Sequence, residues 1–381
     1  MAVRIVVQLL RVLPVLAIPI FGVETISLPR SGLEDNFVEE NQPRTSLDCP
    51  GEDELLLGLF RAIQSVADQI SVPQLIENRI WRGPQNLGQI SGVSVDPSGK
   101  PVVFHRGDRI WDYQTFNSYF QYREEFRGPI QQDTVLTLNP YTGDVEDSWG
   151  GNMFYMPHGI HVDHFGNVWL TDIALHQVFK FLKGSKTPNL ILGRRFEPGY
   201  DATHFCQPTS VAVSKTGKIV IADGYCNNRI MLFNPSGELL DIIPQPGDHL
   251  SLQVPHALTI LDKGDVCVAD RENMRVICLN IGLNGTERSR DPTFTFQRPD
   301  LGRVFAVASD GNYIYAVNGP TSPVIPIRGF TMSTKVEDLA RHWGPFSGSF
   351  QKPHSIAVCP NGTALYVSEI GPNKVWKFDL V

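Results

Sequence analysis

The chain repeats itself, and the repeat constrains the fold more than any other feature. One unit recurs from residue 91 to the end. It has a short alternating apolar run, a turn ending in glycine, a second apolar run, a polar loop and a third run. The clearest copies are Pro157–Phe181 (PHGIHVDHFGNVWLTDIALHQVFKF), Pro208–Phe233, Pro255–Leu279 and Pro353–Phe378, and weaker ones begin at Ser91 and Arg303, making six. The turn glycines are Gly99, Gly166, Gly217, Gly264, Gly311 and Gly362, at successive spacings of 67, 51, 47, 47 and 51 residues. Alternating apolar runs between glycine turns read as strands. Several strands per unit at this period predict an all-β, six-bladed β-propeller. Ring closure hides the sheet edges that an open solenoid, the alternative, would expose. The final run, Trp376–Leu380, is expected to complete a sheet begun by sequence near residues 75–90.

The sequence ahead of the repeats has another character. Arg4 precedes an apolar run from Ile5 to about Val23 that Gln8, Arg11, Pro14 and Pro19 interrupt. A membrane span needs about 20 predominantly apolar residues. We therefore read residues 1–23 as a cleaved secretory signal rather than a retained anchor. Residues 24–80 hold a polar stretch and one helical pattern, Glu52–Ile70, either a pro-segment or a brace, and the propeller is assigned to 81–381. The expected location is the secretory pathway, either secreted or in secretory granules. Six cysteines in an exported chain suggest disulfides. Cys267 and Cys278 flank a short turn between two strand-like runs, and Cys206 and Cys226 lie near the start and end of one repeat. Cys49 and Cys359 are left to pair by elimination only. Asn284 and Asn361 head glycosylation sequons. The net charge of −7, with no basic stripe or acidic tail, argues against a nucleic-acid partner.

Phasing the repeats on their glycines exposes a pattern. Eight residues before each glycine stand Ser91, His158, Thr209, His256, Arg303 and His354. A single Pro-His before a strand is ordinarily a hydrogen-bonded core residue. Three at one offset, in alternate units of a six-fold ring, are related by a near three-fold axis and point into the channel at one depth. That is the arrangement of three zinc ligands with a fourth position open. Zinc is favoured over iron or copper because no carboxylate or sulfur accompanies the imidazoles. Seven residues after the glycines stand Arg106 and Arg271, and one step further in the third unit stands Tyr225. These residues surround the same mouth.

A metal, a phenol and two guanidinium groups suit a small anionic substrate. Arginine holds a carboxylate through paired hydrogen bonds. A metal lowers the pKa of a bound hydroxyl. Tyr225 is a weak base at a free pKa near 10, and neighbouring positive charge is expected to lower that value. On their own, Arg106 and Arg271 read equally as partners of nearby acids such as Asp108, Asp270 or Glu272.

The motifs MPHGIHVD, WLTDIALHQVFKF, HFCQPTSVAV, DGYCNNRI, VPHAL, CVADRENMRVIC and FHRGDRIWD together resemble peptidyl-α-hydroxyglycine α-amidating lyases, from about residue 85 to 380. The resemblance implies a propeller of NHL-like repeats and zinc on His158, His256 and His354. It also implies a catalytic Tyr225, active-site Arg106 and Arg271, and disulfides Cys206–Cys226 and Cys267–Cys278. The implied reaction converts α-hydroxyglycine-extended peptides to peptide amides and glyoxylate, the second step of neuropeptide and hormone amidation. Fewer than 90 residues precede the propeller. The expectation is therefore a lyase-only chain fed by a separate copper monooxygenase. The family's structural calcium would use the carbonyls of Val93 and Ile160 and an aspartate after the third histidine. That position is Ser355 here, a poor substitute for a carboxylate. A non-catalytic secreted propeller that binds peptides or sugars is one rival reading. A metal-dependent lactonase or esterase is another, but it would draw on Asp, Asn and Glu ligands that the phased positions lack.

Overall fold

The computed structural model describes residues 72–335 and 339–381, together with 56–58, 60 and 61. The expected signal and most of the expected N-terminal helix lie outside the described residues. Six four-stranded antiparallel sheets form the blades of a β-propeller. The innermost strands are β2 (Ile90–Val95), β6 (Pro157–Val162), β10 (Ser210–Val213), β14 (Pro255–Ile260), β18 (Val304–Ser309) and β22 (Pro353–Val358). Neighbouring inner strands contact one another around the ring, β22 meeting β2. The six turn glycines all have positive φ, from 67° at Gly362 to 95° at Gly264 and Gly311. A side chain is strained in that region, which is why the repeat keeps glycine there.

The ring closes through β1 (Leu75–Glu77), which pairs with β24 (Val375–Leu380), Leu75 facing Leu380 and Glu77 facing Phe378. The closing strand lies ahead of residue 81, so the last blade draws on sequence assigned above to the preceding segment. The faces between blades are filled mainly by strand side chains. Phe104, Phe154, Phe179 and Phe181 meet edge-on between the first two blades, and Trp343, Phe350, Trp376 and Phe378 do so around the last. Fully burying one such ring contributes about 1.5–3 kcal/mol.

The inner strands carry a device that the sequence did not announce. The register skips one residue in β2, β14, β18 and β22, at Ser91, His256, Phe305 and His354; in β6 it skips His158 and Gly159. A bulge unpairs a residue and re-aims its side chain. The fifth blade's counterpart of the histidines is thus Phe305, not Arg303. In that blade Gly311 follows the last paired residue, Ser309, by two positions. In the first, fourth and sixth blades the glycine follows Val95, Ile260 and Val358 by four. Counting back from the glycine therefore overshoots by two.

Candidate active site

The bulges bring three imidazoles together. Ring centroids lie 5.0 Å apart for His158 and His256, and 4.8 Å for each with His354. All three side chains are buried, and one nitrogen of each falls within 4.8 Å of the others. The opposite nitrogens point outward. Nδ1 of His158 bonds the Thr209 carbonyl at 2.7 Å, that of His256 the Phe305 carbonyl at 2.6 Å, and that of His354 the Ser91 carbonyl at 2.7 Å. A carbonyl only accepts, so each Nδ1 carries the proton and each Nε2 presents a lone pair. The partner always belongs to the next blade. Burial pushes all three pKa values down: His158 and His256 well below the usual imidazole range, and His354 to about 3. The imidazoles are therefore neutral at physiological pH.

Tyr225 sits among these nitrogens. Its hydroxyl is 2.9 Å from Nε2 of both His158 and His256. One O–H proton serves only one of these acceptors, so the cluster holds more inward lone pairs than the phenol has protons. A dication fits that donor set, and neutral imidazoles suit zinc. The tyrosine is held by its turn. Cys226 next to it is disulfide-bonded to Cys206. A Cβ on Gly224, just before it, would come within 2.2 Å of the Pro255 carbonyl oxygen. The phenol's pKa is raised, not lowered as the sequence reading expects: burial outweighs the opposing pull of Arg271 and Arg106.

The two arginines differ. Arg106 is fully buried; its Nε donates to the Pro157 carbonyl at 2.9 Å and its Nη1 to Gln89 Oε1 at 2.8 Å, while Nη2 has no partner. Burial depresses its pKa to about 10. Asp108 pairs with Arg109 and Arg127 instead, which removes the structural reading of Arg106 as its partner. Arg271 does pair with an acid: Glu272 takes its Nε at 2.9 Å and that of Arg303 at 2.8 Å. The Arg271 guanidinium stands 5.3 Å from the centre of the Tyr225 ring and 5.1 Å from that of Phe305. Gln89, Trp111 and Phe305 escaped the sequence reading because nothing in the repeat marks them. Glu272 was visible only as a neighbour of Arg271.

An acid ends the second strand of four blades and fixes the approach to the first. Asp172 accepts from the Tyr155 N–H, Asp223 from Cys206, Asp270 from Gln253 and Glu369 from Gln351, at 2.6–2.8 Å. Each donor lies two residues before a proline, which opens the inner strand in the second, fourth and sixth blades and lies two residues ahead of it in the third. Glu369, which stands in the last blade where the other three have aspartate, performs the same service.

The second disulfide, Cys267–Cys278, joins directly paired residues of one hairpin. Cys359 is a buried free thiol among the described residues, and Cys49 lies outside them. Asn284 and Asn361 are both exposed. Further along the channel, Val93, Ile160 and Ser355 line one cavity. The Ser355 hydroxyl accepts from the Val93 N–H at 3.2 Å. Two carbonyls and a hydroxyl supply no negative charge, so this set does not fit calcium. No helix among the described residues is long and apolar enough to cross a membrane.

Known proteins resemble the chain in sequence and fold. The NHL repeat model matches residues 205–231 and 252–279. Peptidyl-alpha-hydroxyglycine alpha-amidating lyase 2 of Drosophila melanogaster is 48% identical over 91% of this chain and 86% of its own length. Peptidyl-glycine alpha-amidating monooxygenase A of Xenopus laevis is 41% identical over 80% of this chain, which spans only 33% of that protein. Among solved structures, a chain of a nidogen/laminin complex aligns with a TM-score of 0.50 and 16% identity, over 70% of this chain and 84% of that one, a likeness of fold alone. On sequence and architecture together, the chain belongs to the peptidyl-α-hydroxyglycine α-amidating lyase family.

Proposed function

We propose that the protein cleaves peptidyl-α-hydroxyglycine into a peptide amide and glyoxylate, the second step of C-terminal amidation, with zinc held by His158, His256 and His354. One observation carries the reading. The Tyr225 hydroxyl lies 2.9 Å from two inward-facing Nε2 atoms, on a rim where Arg106 keeps an unpartnered, buried Nη2. Zinc bound there would act as a Lewis acid toward the substrate hydroxyl. The chain's own groups do the rest. Arg106 and Arg271 hold the carboxylate, and the buried Nη2 gains the anion it lacks. Tyr225, protonated in its buried place, gives its O–H proton to the departing amide nitrogen while its Oη takes the substrate hydroxyl proton and the C–O bond becomes a carbonyl. The C–N electron pair leaves with the amide nitrogen, which gains one proton, so atoms and charge balance.

The substrate is supplied by a hydroxylation at glycine, for which we propose a separate copper monooxygenase. Two disulfides and two exposed sequons support export, because such bonds persist in oxidising compartments. Calcium is not part of the proposal. The test is mass spectrometry of an α-hydroxyglycine-extended peptide incubated with the purified protein. Stoichiometric amide and glyoxylate are expected; an intact peptide alongside lactone hydrolysis would replace this reading with the hydrolase one.

A further inference from the structure

The first blade departs from the others over the mouth. The loop between its second and third strands spans residues 106–134, whereas the corresponding loops cover 173–176, 224–228, 271–274, 319–328 and 370–374. These loops lie at the end of the ring where Arg106, Tyr225 and Arg271 stand. The long one is rich in exposed aromatics: Tyr113 is 88% exposed, Tyr119 76% and Phe126 86%.

Trp111 belongs to this loop but turns inward. Its ring meets the Tyr225 ring edge-on at 4.7 Å between centroids and lies 6.3 Å from that of His158. The Arg106 guanidinium sits 5.4 Å from its centre. Gln89 ties the arrangement together, since its Oε1 accepts from Arg106 Nη1 at 2.8 Å and from the Trp111 backbone N–H at 3.4 Å. The indole is only partly buried, while its neighbour Ile110 is 65% exposed. Trp111 thus packs on the proposed base and the proposed carboxylate-binding arginine, and meets Phe116 edge-on at 5.7 Å, while part of the indole stays exposed beside the mouth.

We infer that Trp111 is a specificity-determining residue, forming the wall against which the side chain preceding α-hydroxyglycine packs. The inference rests on the lyase reading. A substrate with its carboxylate on Arg106 and its hydroxyl at Tyr225 carries that side chain one amide away from the reacting carbon. An indole in contact with both groups is within reach of it. The chemistry favours an apolar or aromatic residue at that place, because the wall is an aromatic surface that gains by being covered.

The test compares kcat/KM for two acylated substrates that differ only in the residue before α-hydroxyglycine, phenylalanine or glycine. Wild type is expected to favour phenylalanine by about tenfold or more, the discrimination a partly apolar pocket supplies. Trp111→Ala should bring the ratio near one, and Trp111→Phe, which keeps a ring, should give an intermediate ratio, so a merely misfolded variant is distinguishable. An unchanged ratio in Trp111→Ala would overturn the inference. So would collapse of the ratio in Phe305→Ala alone, since Phe305 borders the opposite side beside Arg271. Wild-type turnover of neither substrate would instead sink the lyase reading itself, and the inference with it.

Discussion

The Tyr225 hydroxyl lies 2.9 Å from Nε2 of His256, whose Nδ1 is held by the Phe305 carbonyl one blade away. The groups proposed to move the proton and to bind the metal are thus neighbours, but they are anchored separately. Tyr225→Phe should retain zinc and lose about 100- to 10,000-fold in kcat, the usual worth of a positioned acid or base. Glyoxylate release from α-hydroxyhippurate, read beside metal content, checks this. Undiminished turnover would remove Tyr225 from the chemistry.

Arg106 is buried with Nη2 unpartnered. Arg106→Lys preserves the charge and loses the fork, so KM should rise at least about tenfold with a smaller change in kcat. Steady-state kinetics on α-hydroxyhippurate read the split. An unchanged KM would return Arg106 to a structural role.

Glu272 bridges Arg271 and Arg303. Glu272→Gln keeps the shape and weakens both contacts, releasing Arg271 from its fixed direction. Activity should fall by about fivefold to thirtyfold, about 1–2 kcal/mol, while the melting temperature changes little. The measurement is paired kinetics and thermal melting of the variant.

The two disulfides should separate in effect. Cys206–Cys226 pins the turn that carries Tyr225, whereas Cys267–Cys278 staples a hairpin within the core of the fourth blade. Replacing either pair by serine should cost about 2–4 kcal/mol of stability. Only the first should also depress kcat in protein that remains folded, as thermal melts and kinetics on both variants would reveal.

Ser355 removes charge from the second channel site. Ser355→Asp, beside the carbonyls of Val93 and Ile160, should create calcium affinity. Millimolar calcium is then expected to raise the variant's melting temperature by about 2 °C or more, without moving that of wild type. A wild-type shift of equal size would show that the hydroxyl suffices.

The sequence carried the ring and its hub, because both depend on periodicity. Glycine turns recur where backbone strain demands them, and His158, His256 and His354 share one offset. It did not carry the bulges, which depend on pairing between strands, and so it placed Arg303 where Phe305 stands. The carbonyls that fix the imidazole tautomers are backbone atoms and leave no trace in residue identity. Gln89 and Trp111 lie outside the repeat's common frame, so phasing passes over them. The direction of the Tyr225 shift was missed because residue lists show neighbouring charge but not burial, and here burial wins.

The most direct test of the central claim is a zinc titration of metal-stripped protein, following glyoxylate release from α-hydroxyhippurate. The account predicts no turnover without metal and activity rising linearly to a break at about one zinc per chain, as a single three-histidine centre requires. Full turnover by the stripped protein, or the same titration curve from His256→Ala, would contradict it.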